Sequence, residues 1–208
     1  MASCSVVCVS HTTGSAGEEV GKRVAERLGY LYVDEDIVAR AAARGGVEPK
    51  DVADEERRKS LAARVLEALA EGGGEGWALA GGMPAMAGSL SSSEIRDLIR
   101  ETIVQTAARG SAVIVAHAAS YAVETGPGTL RVFVTASPTT RAQRVAALEE
   151  LDQAQAARMI KDSDTGRRDY LKRFYAVDRE SSTDYDLVIN TDVLSTRRAA
   201  EIVSHAAG

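Results

Sequence analysis

The chain has 208 residues, 45 % of them hydrophobic and 26 % charged, which suits one α/β domain carrying a small insertion. Its net charge of −5 imposes no basic face and argues against nucleic acid as a partner. No stretch reaches the ~18 consecutive apolar residues of a membrane span, and the N-terminus lacks the basic region of a signal peptide.

Residues 4–10 form an apolar run without alternation, as expected of a central parallel strand covered on both faces. Cys4 and Cys8 fall on one side of it, ~13 Å apart at the rise of a strand and too far for a disulfide. They read as reduced, buried thiols, which places the protein in the cytoplasm. The turn "SHTTGSAGEEVG" (10–21) leads into a helix over about 17–28, with Val20, Val24, Ala25 and Leu28 on one stripe. Gly29 closes that helix as a C′ glycine. "YLYV" (30–33) is a short second strand with Asp34 at its carboxyl end, and a helix over about 35–44 stops at Gly45-Gly46.

Residues 47–93 change character. A charged helix over about 50–71 runs into "GGGEGWALAGGMPAMAGSLSSS" (72–93), and 47–93 as a whole reads as a mobile lobe or lid over the core of the same domain. Trp77, Met83 and Met86 would line it or fill gaps in it. An amphipathic helix over 94–109 follows, then strands over 111–117 and 130–136. Ser137-Pro138 opens the next helix, with proline in its first turn. Two helical stretches within 152–177, very basic in "GRRDYLKRFY", a strand over 185–191 and a helix over 195–206 complete the chain. The alternation predicts a five-stranded parallel sheet with helices on both faces, in a single domain spanning 1–208. Ligands bind such sheets at the carboxyl ends of the strands. His11, Asp34, His117 and the residues after 136 share that rim.

The glycine turn carries the first chemical signal. Gly14 and Gly17 permit positive φ and close approach of backbone N–H groups to an anion, and the following helix adds its positive end. A conventional phosphate loop then presents a lysine and a hydroxyl. Counted back from the helix, Gly17 stands in the lysine's place and Glu19 in the hydroxyl's. Lys22 lies a full turn deeper and is not assigned that role. Glu18 and Glu19 suit the helix dipole but would repel a polyphosphate at short range. Basic side chains gather at Arg141 and Arg144 and again at Arg167, Arg168, Lys172 and Arg173, in a chain that is acidic overall. That contrast favours an anionic ligand over a merely solvated face.

These blocks resemble the cytidylate kinase-like family, a branch of the P-loop nucleoside-monophosphate kinases. The likeness is carried by "GSAGEEVGKRVAERLGYLYVDEDIV", "LRVFVTASPTTRAQRV", "IKDSDTGRRDYLKRFY" and "YDLVINTDVLSTRRAAEIV", and covers nearly all the chain except about 47–93. It implies a three-layer P-loop kinase-like fold, ATP and Mg2+ as cofactors, and a nucleotide and a small-molecule acceptor as partners. A homodimer is left open. Under this resemblance Gly14, Ser15, Ala16, Gly17, Glu18 and Glu19 form the phosphate loop. Arg141, stacking on or bordering the adenine, Arg144 and Arg173 hold the nucleotide. Arg167 and Arg168 belong to a lid (152–177) that folds over the phosphates, with Asp164 and Asp169 orienting the arginines. Asp34 faces the acceptor, or else caps the helix after it.

Two positions depart from the family's pattern. His11 and His117 stand where arginines would point at phosphate oxygens, and a bidentate guanidinium is hard to replace. The two rings follow strands that should be neighbours, so one imidazole acting as a general base is a further reading; without a third fixed ligand no metal site is assigned. The sequence therefore supports a phosphotransferase acting on a CMP-like or other small hydroxylated acceptor. The alternative is a catalytically impaired nucleotide-binding or regulatory protein that keeps the fold.

Overall fold

The computed structural model of the chain describes residues 4–34, 92–115 and 118–208. The helices foreseen over 35–44 and 50–71, the 47–91 part of the lobe, and His117 lie outside the described residues. Five strands, β1 (Val6–His11), β2 (Leu31–Val33), β3 (Ala112–Val115), β4 (Thr129–Thr135) and β5 (Leu187–Asn190), form one parallel sheet in the order β2-β3-β1-β4-β5. β1 lies at its centre, with Val9 in register with Val115 on one side and Val132 on the other. The described helices are α1 (Gly17–Leu28), α2 (Ser92–Arg109), α3 (Ala119–Ala122), α4 (Pro138–Leu148), α5 (Gln153–Tyr175) and α6 (Thr196–Ala207).

The layering follows from burial. Val7 and Val9 turn one way and meet Val20 and Val24 of α1 and Ala199, Ala200 and Val203 of α6. Val6 and Cys8 turn the other way and meet Ile103 of α2 and Ala119 of α3. With so few aromatic residues the sheet is covered by small side chains, each buried valine contributing about 1.5–3 kcal/mol. Both faces of β1 are filled, which is why its sequence does not alternate.

Among the described residues the expected elements are present with shifts at their ends. Cys4 lies just ahead of β1 and is only partly buried, whereas Cys8 is fully enclosed and burial pushes its thiol up to about 12. Gly29 takes φ 67° as the cap of α1. The main difference lies in 152–177, the segment expected to form a lid. In place of two helical stretches there is one 23-residue helix, α5. Gly166 in its middle costs about 1 kcal/mol, too little to break a helix that starts in a full Asp152–Gln155 capping box and buries Ala156, Ile160 and Leu171. The four-residue α3 and a 3-10 turn at Ser182–Asp184 carry no helical periodicity and were not foreseen. Among the described residues no helix is long and apolar enough to cross a membrane.

Candidate functional site

The turn between β1 and α1 is built by tying its carbonyl groups back into the protein. Thr12 O accepts from Ser15 N–H (3.0 Å) and Ser15 Oγ (2.7 Å). Thr13 O accepts from Arg141 Nε (2.7 Å), Gly14 O from Arg144 Nη1 (3.3 Å) and Ser15 O from Thr191 Oγ1 (2.8 Å). Ala16 O accepts the first helical bond, from Val20 N–H (3.1 Å). In a planar trans peptide the N–H points opposite to the C=O. Holding these oxygens on the protein side therefore turns the N–H groups of Gly14, Ala16 and Gly17 the other way. The N–H groups of Gly17, Glu18 and Glu19 have no carbonyl within α1, because the first turn of a helix leaves its donors unpaired. Together with the positive end of the helix, roughly half an elementary charge, they make a concave set of donors suited to an anion.

Two residues of the turn sit at positive φ, Gly14 (80°) and Ala16 (62°). Gly14 is required twice over, because a Cβ there would lie 2.7 Å from Arg141 O. Ala16 is not a glycine, so its left-handed conformation costs about 1–2 kcal/mol and persists only because its surroundings fix it. Gly17 answers a different need. A Cβ there would stand 2.2 Å from His11 Cβ and 2.5 Å from His11 Cγ. The His11 side chain thus lies against the helix start, where a phosphate-loop lysine would have its root. Its Nδ1 is 3.4 Å from Thr12 O.

The acidic pair at the helix start is arranged to spare the turn. Glu19 receives Arg23 Nε (2.9 Å) and Nη2 (2.8 Å) and Thr196 Oγ1 (2.8 Å). The Arg23 contact first, and the Thr196 bond after it, hold its carboxyl below the usual range. Its charge is thereby spent sideways, toward α6. Glu18 is exposed. Lys22 lies over the Tyr32 ring at 5.6 Å, away from the turn, and Tyr32 Oη donates to Asp34 (2.9 Å). Asp34 thus ends β2 on the expected rim; the residue it would cap lies outside the described residues.

The arginines sort into two groups. Arg141 and Arg144 are supports under the turn. Arg141 is 4 % exposed. Its Nε holds Thr13 O, and its Nη atoms form a double bond pair with Asp164 (3.0 and 2.7 Å). Asp164 orients it, as expected, but so deep a guanidinium offers no face for a base to stack on. Arg144 bonds Gly14 O, Thr191 Oγ1 (2.9 Å) and Thr191 O (2.7 Å). Both act on the turn through the backbone oxygens they hold. The lid arginines differ again. Arg167 is clamped by Glu180 (3.0 and 2.6 Å), touches Tyr185 Oη (3.4 Å) and lies 5.6 Å over the Phe133 ring. Burial lowers its pKa, yet the bonds and charge of Glu180 outweigh burial and keep it firmly cationic. Arg168 is exposed and, among the described residues, bonds only within its own helix, to Asp164 O and Thr165. Arg173 is exposed and packs on Phe174 at 5.0 Å.

The fold therefore brings together His11, Gly14 to Glu19, Arg141 and Arg144, and holds Arg167 in a separate cluster. Three functional contributors escaped the sequence reading. Thr191 is buried at 1 % and grips the turn; its only sequence signal is a polar residue just after the last strand. Thr13 bonds Ser163 of α5 (2.6 Å), linking turn to lid. Glu180 sits in an irregular segment whose sequence carries no periodic signal. Among the described residues no three His, Cys, Asp or Glu side chains gather as a metal site.

The architecture is that of P-loop kinases. The chain is similar to an uncharacterized protein from Eubacterium ventriosum ATCC 27560, at 17 % identity and a TM-score of 0.68 over 97 % of each chain. It is also similar to the shikimate kinase from Bacteroides thetaiotaomicron, at 13 % identity and TM-score 0.51, over 97 % of this chain and 96 % of that one. The shikimate kinase from Acinetobacter baumannii, solved in complex with shikimate, follows at 12 % and 0.50, over 97 % and 91 %. Likeness at such identities is one of fold. No curated protein matches the sequence. The pattern of the cytidylate kinase-like family, by contrast, matches residues 6–193, from the first residue of β1 to just past β5. The chain belongs to the cytidylate kinase-like family.

Proposed function

We propose that this protein is an ATP-dependent phosphotransferase whose acceptor is a CMP-like nucleoside monophosphate or another small hydroxylated molecule. One observation carries the reading: the five successive carbonyls of Thr12 to Ala16 are each held by a donor of the protein, which leaves the N–H groups at the start of α1 free of carbonyl partners within the helix. ATP, when bound, supplies the γ-phosphoryl group, and Mg2+ enters with its phosphates. Glu19 holds Arg23 and Thr196 in this arrangement, so no protein ligand to the ion is assigned. The chain's own contribution is electrostatic. Amides of Ala16, Gly17 and Glu18 take the phosphate oxygens, and the exposed Arg168 and Arg173 provide positive charge from α5. Charge stabilisation of this kind is the main resource of phosphoryl transfer. A buried Cys8 thiol agrees with work in the cytoplasm.

A second reading, a nucleotide-binding protein without transfer, is favoured by one specific observation. Arg167, the lid residue matched to phosphate contact, is committed to Glu180. ADP release separates the two. With ATP, Mg2+ and a panel containing CMP and dCMP, the phosphotransferase reading expects ADP to appear faster with at least one acceptor than without any. Nucleotide-dependent thermal stabilisation combined with no acceptor-dependent ADP across the panel would favour the second reading.

A further inference from the structure

The turn contains a strained residue and a lock, and they meet at one peptide bond. Relieving the positive φ of Ala16 requires the Ser15–Ala16 peptide plane to flip, because such a flip changes ψ of the residue before it and φ of the residue after it. A flip would carry Ser15 C=O to the side now occupied by Ala16 N–H. A donor to an anion would become an acceptor that repels it. The oxygen of that plane is the one held by Thr191 Oγ1 at 2.8 Å.

The hydroxyl has one hydrogen to give and two oxygens within reach, Ser15 O at 2.8 Å and Thr135 O at 3.3 Å. Arg144 Nη1 donates to its lone pair at 2.9 Å, and Arg144 Nη2 holds Thr191 O at 2.7 Å. The backbone of Thr191 is itself fixed, its N–H donating to Thr135 O at 2.8 Å. With the residue 1 % exposed, water cannot substitute for the lost donor.

We propose that Thr191 is a positioning residue for polyphosphate binding: its hydroxyl holds the Ser15–Ala16 peptide in the strained orientation that presents the Ala16 amide to the ligand. This rests on the proposed nucleotide binding but makes a separate claim about the ligand-free turn. Thr191 touches no phosphate. It acts at the far end of β5, through the backbone, and links the C-terminal part of the chain to the N-terminal turn.

The test is a double-mutant cycle of Thr191→Val with Ala16→Gly, read by calorimetry with ADP and by the amide exchange of residue 16 in the ligand-free protein. Valine keeps the shape and removes the hydroxyl. Glycine at 16 adopts positive φ without strain, so the lock is no longer needed. Thr191→Val alone is expected to weaken ADP binding about tenfold and to alter exchange at residue 16. In the Ala16→Gly background the same change is expected to weaken binding less than threefold, and Thr191→Ser is expected to retain affinity. A merely structural role for Thr191 would give the same loss in both backgrounds, and that result would overturn the proposal. So would wild-type affinity in Thr191→Val. If the unmodified protein fails to bind ADP, the function proposed above fails instead; the exchange measurement still decides this claim, and unchanged exchange at residue 16 in Thr191→Val refutes it.

Discussion

At the start of α1, a glycine and a histidine are mutually dependent. The absence of a Cβ at Gly17 is what admits the His11 side chain against the helix, the nearest approach being 2.2 Å from the position a Cβ would take. The missing lysine and the histidine at the end of β1 are therefore one packing solution and not two separate losses. Gly17→Ala should force the ring or the helix aside and lower stability by about 1–3 kcal/mol, the usual range for overpacking, as measured by urea denaturation. His11→Gly should recover part of that loss when combined with it. Full stability in Gly17→Ala alone would contradict the packing described. The sequence made both departures visible, but their coupling is a three-dimensional fact. Nothing in the spacing of residues 11 and 17 says that one side chain lies on the other.

At the scale of elements, α5 is held along its whole length. Ala156 and Ile160 pack on α4, Ser163 and Asp164 bond the turn and its supporting arginine, and Leu171 and Tyr175 close the far end. Six of the chain's few aromatic rings, Tyr121, Phe133, Tyr170, Phe174, Tyr175 and Tyr185, touch one another there in series. Glu180 lies among them, bonded to Arg167 and to Tyr185 Oη, whose pKa burial first and the Glu180 bond second push up to about 12. Glu180→Gln leaves a largely buried guanidinium without its counter-charge and is expected to cost about 3 kcal/mol in denaturant unfolding. Replacing Arg167 by Met in the same chain should return much of it, since an apolar pair of similar volume is often neutral. A loss below about 0.5 kcal/mol, the scale of an exposed ion pair, would show that the cluster does not hold the lid. Helical periodicity identified the basic face of α5 but not its single, unbroken course. A mid-helix glycine and a charged sequence look like a break until the packing at both ends is known.

For the molecule as a whole, the strand-helix alternation was enough to give the parallel five-stranded sheet, because buried apolar runs and glycine caps are local signals. Its strand order places β1 between β3 and β4 and brings the turn at 12–16, the end of β5 and the start of α4 to one edge. That convergence is why Arg144 and Thr191, 47 positions apart in sequence, meet under Gly14 and Ser15. The glycine turn was legible from Gly14 and Gly17; the way distant side chains orient it was not, since each acts through a backbone oxygen. Arg141 and Arg144 were expected to hold a nucleotide, and the structure places them beneath the turn.

Phosphate binding by backbone amides without a lysine is open to a direct test: calorimetric titration of the protein with ADP and with adenosine, at one salt concentration and in the presence of Mg2+. Binding of ADP at least tenfold tighter than adenosine, about 1.4 kcal/mol or more, is the expected result. Equal affinities, or no heat with either ligand, would contradict it.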